Sequence, residues 1–122
     1  MSEFHNKIRT LGDEFVIEVY QIAKLLPDDE RFGLVTQLRR AVTSIMLNYI
    51  EGRAKRSDKS YGNHMNIAYG SLQEVLYTLE LLVKLKYVKQ DQIDSPFIKG
   101  KELGAMLFTL LKELKSFDTS FE

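Results

Sequence analysis

The chain has 122 residues, 17 basic and 17 acidic side chains, a formal net charge of zero and no cysteine. The length suits one domain, expected over residues 1–122, with enough chain to bury a sizeable core. Neutrality excludes a whole-chain field that would draw nucleic acid or membrane, and the lack of cysteine excludes disulfides, thiolate metal sites and cysteine nucleophiles. No basic-then-apolar leader and no apolar run near the eighteen or so residues of a membrane span is visible, so a cytoplasmic protein with no membrane partner is expected.

Phe4, Ile8, Leu11, Phe15, Val19, Ile22 and Leu26 recur at three- and four-residue steps, which predicts a first helix. Pro27 cannot donate a backbone hydrogen bond and disfavours helix at the residue before it, so this helix is expected to end near Leu26. Asp28 or Asp29 then offers a cap for a second helix, expected from about Glu30 to about Gly52, with Gly52 as its terminator.

The second helix carries two stripes. Val35, Leu38, Val42, Ile45 and Tyr49 form an apolar face, and beside it Gln37, Arg40, Ser44, Asn48 and Glu51 repeat at the same spacing. Ordinary solvent faces are rich in Lys and Glu; these small hydrogen-bonding groups, interrupted by Ala41, predict a partly buried stripe satisfied by partners.

The segment that follows, G-R-A-K-R-S-D, is a loop in which Ser57 or Asp58 can cap the next helix. Residues 31 to 60 hold seven basic side chains against two acidic ones, a local net of +5, whereas residues 1 to 30 hold three against seven. Arg39, Arg53, Lys55, Arg56 and Lys59 are the candidate contacts to a phosphate chain; the alternative is a merely solvated face.

A third helix, about Lys59 to Tyr87, places Tyr61, Met65, Ala68, Leu72, Val75, Leu79 and Leu82 on one face. Tyr69, Leu76 and Val83 form a second apolar line, and Tyr77, Leu81, Leu85 and Val88 a third. A helix apolar almost all round must be covered almost all round. Leu76, Tyr77, Leu81, Val83 and Leu85 are therefore the candidate interface of a homo-oligomer, unless the C-terminal tail with Phe117 and Phe121 covers the surplus.

Ser95 and Pro96 form a start signal for a fourth helix with Leu103, Leu107, Leu110, Leu114 and Phe117 on its inner face. Gly100 and Gly104, four apart, suggest close packing or local weakening. Four helices, short connections and no strand pattern predict an all-α, antiparallel up-down-up-down four-helix bundle. In that arrangement helix-two and helix-three residues whose numbers sum to roughly 111 lie side by side. The polar stripe then meets Ser71 and Glu74, Arg40 pairs with Glu74, and Asn48 faces Asn63 and His64.

Searches for chemistry return little. Neither His5 nor His64 has a glutamate three residues before it, as a di-metal bundle requires, and no phosphate-cradling or dinucleotide loop is present. Ser71, His64 and Glu74 could be assembled into a catalytic set only as any helical protein supplies such triples. Tyr61 and Tyr69 are explained as core residues, although aromatic faces beside cations also bind single strands. No cofactor, no metal and no enzymatic activity are expected.

The run from Gln37 to Gly52, Q-L-R-R-A-V-T-S-I-M-L-N-Y-I-E-G, preceded by Glu30-Arg31-Phe32-Gly33-Leu34 and followed by Ala68-Tyr69-Gly70-Ser71-Leu72-Gln73-Glu74, resembles a known bacterial four-helix-bundle family. Its founding members are encoded by intervening sequences within large-subunit ribosomal RNA genes, and it looks related to the accessory variability protein of diversity-generating retroelements. The resemblance covers about three quarters of the chain; the fourth helix matches only as an amphipathic helix. It implies a homopentamer of antiparallel bundles. For the retroelement relatives it implies a basic surface that binds nucleic acid and a reverse transcriptase, and for the intervening-sequence members a genomic link to ribosomal RNA with no established activity. Met46 stands where the family usually has proline, Ile50 replaces a small residue, and Phe15 replaces a tryptophan.

Two functional expectations follow. The first is a non-enzymatic oligomeric adaptor that binds RNA or an RNA-associated protein through the basic segment between helices two and three. The second is a structural oligomer whose partner is another protein.

Overall fold

The structure, a computed structural model, describes residues 2–117 and the side chains of residues 2–114. Four α-helices follow one another, α1 (Glu3–Ala23), α2 (Thr36–Arg53), α3 (Asp58–Lys84) and α4 (Gln90–Phe117), and there is no strand among the described residues. Each helix packs on two others: α1 and α3 both lie against α2 and α4. The result is a four-helix bundle around one contiguous apolar core.

The apolar stripes read from the sequence line that core. Val35 just before α2 and Leu38, Val42, Ile45 and Tyr49 on it are all buried, as are Met65, Ala68, Leu72, Val75, Leu79 and Leu82 from α3 and Leu103, Leu107, Leu110 and Leu114 from α4. The side chain of Phe117, and Phe121, expected as a possible cover, lie outside the described residues.

Boundaries differ from expectation where side chains rather than Pro or Gly set them. Ser2 caps α1 by accepting from the His5 N–H at 3.2 Å. The helix closes at Ala23 through tightened bonds, Leu25 N–H to Ile22 and Leu26 N–H to Ala23, three residues ahead of Leu26. The approach to α2 is not one helix from Glu30. A 3-10 turn (Asp28–Glu30) leads into a wide turn (Arg31–Val35) that bends at Gly33, whose φ of −112° and ψ of −106° are non-helical. The capping group is Glu30 rather than Asp28 or Asp29. Its Oε1 accepts from the Leu34 N–H at 3.2 Å, and its Oε2 accepts from the Tyr87 hydroxyl at 2.8 Å.

Gly52 does not terminate α2 but sits inside it, where a Cβ would come within 2.8 Å of His64 Cβ; its smallness lets α3 approach. Ser57 caps α3 through the Ser60 N–H at 3.1 Å. That helix ends with Lys86 in the left-handed region at φ 65°, the Lys86 N–H bonded to Val83 and the Tyr87 N–H to Leu82, a Schellman closure made with lysine in place of the usual glycine.

The fourth helix starts five residues before Ser95. Gln92 Oε1 accepts from the Lys89 N–H at 2.8 Å and buried Ile93 anchors the first turns, so the helix runs through Pro96 even though proline offers no N–H there. Ser95 caps nothing; its hydroxyl donates to Glu18 Oε1 at 2.6 Å. Gly100 and Gly104 serve close packing. A Cβ at Gly100 would lie 2.7 Å from Leu76 and 2.8 Å from Phe15, and one at Gly104 would lie 3.0 Å from Leu72.

That close approach covers the second apolar line of α3. Leu76 is buried within the chain, with Tyr69 and Val83 partly buried against the core. Flanked by both α2 and α4, α3 has two covered stripes within the chain, so its second apolar line needs no oligomer partner.

The α1/α4 seam is tied by charge. Lys99 bonds Glu18 and lies 3.3 Å from Glu14, and Lys7 lies 3.3 Å from Glu102. Burial pushes the Glu18 carboxyl up, but the bonds from Lys99 and Ser95 outweigh it and hold the group below its ordinary range.

Candidate nucleic-acid interface

At one end of the bundle the start of α1, the end of α2 and the start of α3 come together. Arg53, Lys55, Arg56 and Lys59 are all exposed there. Lys55 has a carboxylate partner at 3.9 Å, Glu51 four residues earlier in the last turn of α2, while Arg53, Arg56 and Lys59 form no salt bridge among the described residues. A pair this exposed contributes little to stability, and Arg53 also hydrogen-bonds to the Tyr61 side chain.

Arg9 joins the group from α1. It lines, with Tyr49, Ile50, Arg53 and Ala54, a cavity of about 290 Å³. Two guanidiniums therefore flank one concavity with an apolar floor, an arrangement suited to a bidentately bound phosphate oxygen pair. Behind the floor, His5 Nδ1 shares a hydrogen bond with the Tyr49 hydroxyl, and the two rings stack with centroids 5.9 Å apart. Burial, then the positive charge of Arg53, lowers the His5 pKa from its ordinary 6.5 against an opposing pull from Glu113. Burial raises the Tyr49 phenol. Near neutral pH the pair is thus a neutral imidazole and a neutral phenol, a rigid wall rather than a charge relay.

Arg39 is not part of this group. It lies fourteen residues before Arg53 on the same helix, about 20 Å along the axis. Its guanidinium sits over the Tyr20 ring at 5.4 Å and its Nε is buried without a hydrogen-bond partner. The helical period turns Arg39 toward α1.

Only part of the polar stripe is partly buried as expected: Ser44 and Asn48 are half-buried against α3, whereas Gln37, Arg40 and Glu51 are exposed. Ser44 and Ser71 hydroxyls are 3.0 Å apart. Asn48 donates to the Ser44 carbonyl at 2.9 Å and to its hydroxyl at 3.1 Å, and Asn48 Oδ1 lies 3.0 Å from His64 Nδ1. Gln37 donates to Glu74 at 3.3 Å, and Arg40 lies 3.6 Å from the same carboxylate oxygen. The Arg40–Glu74 pair is not buried: the side chains are 66% and 38% exposed, because both point past the seam into solvent. Glu51 turns to Lys55 instead of α3. No Ser–His–carboxylate set forms: Ser71 is engaged by Ser44 and His64 by Asn48. The described residues hold no cluster of three or more His, Asp or Glu placed to bind a metal.

Of the apolar interface candidates, Tyr77 is 65% and Leu85 45% exposed, Leu81 and Val83 are half-buried, and Leu76 is interior.

With this geometry in hand the comparisons are specific. Residues 5–109 match the family described as 23S rRNA-intervening sequence protein. The chain belongs to that family. A solved structure of a protein with unknown function from the S23 ribosomal protein family of Bacteroides thetaiotaomicron VPI-5482 is similar at 27% identity, with a TM-score of 0.79, covering 86% of this chain and 98% of that one. No curated protein matches. As a 23S rRNA-intervening sequence protein the chain matches across most of α4 as well as α1 to α3, further than its motifs alone suggested. The matched span includes His5, Arg9 and the whole basic loop. No helix among the described residues of this family member is long and apolar enough to cross a membrane.

Proposed function

We propose that this protein is a non-enzymatic, oligomeric RNA-binding adaptor, an antiparallel up-down-up-down bundle whose α2/α3 end meets the phosphate backbone. The observation that carries the reading is the convergence of Arg9, Arg53, Lys55, Arg56 and Lys59 on one end, with Arg9 and Arg53 flanking a single cavity. Five copies presenting the four cations of the loop on one rim would gather roughly twenty positive charges despite a neutral whole. No base-reading motif is visible there, so sequence preference is expected to be slight, and the ribosomal link in the family name is compatible with backbone recognition.

Titration of a fluorescent RNA oligonucleotide tests this. Binding is expected to be micromolar or weaker at physiological salt, to weaken steeply as salt rises, and to fall when Arg53, Lys55 and Arg56 are changed together to Ser. Unchanged affinity in that variant overturns the reading.

Self-association is supported by a separate observation. Exposed Tyr77 on α3 and Leu85 at its C-cap, with Ile17 and Leu47 at 57% and 66% exposure on α1 and α2, leave apolar surface on two sides of the isolated chain. Light scattering is expected to give a multiple of 14.1 kDa, fivefold by the family resemblance. A stable monomer at micromolar concentration contradicts it and favours a hetero-partner on these faces.

A further inference from the structure

The groove between α3 and α4 has no part in the basic end described above, yet its chemistry matches the same ligand. Tyr69 from α3 and Phe108 from α4 face each other across it, ring centroids 5.9 Å apart and tilted by 44°. Phe108 is 49% exposed, unusual for a phenylalanine within a packed seam. Two adjoining cavities flank the ring pair, one of about 320 Å³ floored by Gly100 and Gly104 and one of about 200 Å³ bounded by Asn66 and Lys112. Their walls supply Lys101, Lys112, Gln73 and Asn66 and no carboxylate. The Lys112 ammonium lies 5.9 Å from the Phe108 centroid, at the outer limit of a cation–π contact, so it is free to swing to an anion.

We infer that Tyr69, Phe108 and Lys112 form a base-stacking platform, and that the nucleic acid bound by this protein is single-stranded. A half-exposed ring offers its face to a base of any identity, and the flanking lysines meet the adjacent phosphates. Side-chain amides at Asn66 and Gln73 can bond base edges that are unpaired and hence reachable only in a single strand. Ten residues of α3 separate Lys59 at the basic end from Tyr69, about 15 Å of helix. A few nucleotides span that distance. The inference rests on the RNA-binding reading and adds strandedness to it; a duplex keeps its bases stacked inside and can use only the cations.

The test compares a labelled RNA of about 12 nucleotides, within the site sizes of single-strand binders, with the same strand annealed to its complement. Phe108→Ala is expected to lower affinity for the single strand by about 5- to 150-fold, to leave the salt slope unchanged and to leave duplex binding as it was. Phe108→Trp should restore single-strand affinity, which a merely structural role for the ring does not predict. Lys112→Gln should instead reduce the salt slope by about one. Undiminished single-strand binding by Phe108→Ala, or an equal loss on strand and duplex, overturns the platform while the loop variant still decides the RNA reading. No binding of either RNA by the unaltered protein at low salt overturns both.

Discussion

At one end of the bundle a carboxylate closes a turn, and at the other a basic cluster stands beside a cavity. At the end where α1 gives way to α2, Glu30 is engaged twice, holding the Leu34 N–H and the Tyr87 hydroxyl, and so ties the bend at Gly33 to the connection after α3. At the other end Arg53, Arg56 and Lys59 reach into solvent with no salt bridge among the described residues, beside a cavity walled by Arg9. A net charge of zero hides this division. A charge that closes a turn contributes to folding, whereas one left exposed contributes little to folding and is free for a partner.

The sharpest break between the ends is expected from Glu30→Ala. It removes the cap on the turn before α2, costs about 1 kcal/mol by the usual worth of a cap, and frees Tyr87 as well. RNA affinity should stay unchanged. Urea unfolding and the RNA titration, run on the same variant, check both halves, and a loss of RNA affinity would mean that the ends are not separable.

A smaller effect is expected along the α2/α3 seam. Arg40 and Glu74 are exposed, so a double-mutant cycle should yield a coupling of about 0.2–1 kcal/mol, well below the several kcal/mol of a buried pair. Coupling above about 2 kcal/mol would show that the pair is desolvated in solution, as an oligomer contact over it would make it.

The smallest effect is a pH dependence at the basic end. The folded chain holds the His5 pKa below its ordinary 6.5, so the unfolded chain takes up more protons as pH falls. Stability is therefore full above about 6.5 and declines as pH drops through it toward the lowered value. His5→Gln should flatten that decline. The Glu18 carboxyl, also held low, acts in a separate window below its ordinary 4.5. Urea midpoints at pH 7.5 and 5.5 in the two chains check this, and an identical decline in both would place the titration elsewhere.

The bundle was legible because helical periodicity is a strong signal: every position of the α2 apolar stripe is buried. The α2/α3 pairing was legible too, since a short loop fixes which residues lie opposite, and Gln37 with Glu74 and Asn48 with His64 follow from it. Helix starts were less so. Ser95-Pro96 is a strong local signal, yet burial of Ile93 and the Gln92 cap begin α4 five residues earlier, tertiary packing overriding propensity. Arg9 and His5 were missed because opposite-residue reasoning was confined to α2 and α3; the pair His5 with Tyr49 shows that it extends to α1 and α2. Arg39 belongs to the same basic stretch of sequence as the loop, yet about 20 Å of rigid helix holds the two apart.

The most direct test of the division between the ends removes the same charge from each. One variant changes Arg53, Lys55 and Arg56 to Ser; the other changes Lys84, Lys86 and Lys89 at the opposite end to Ser, so both lose three positive charges. Titrated with single-stranded RNA across a salt series, the first should lose affinity with a slope reduced by about two, and the second should bind as the unaltered protein does. Equal losses in both variants would mean that net charge, not the α2/α3 end, governs binding, and would contradict the account.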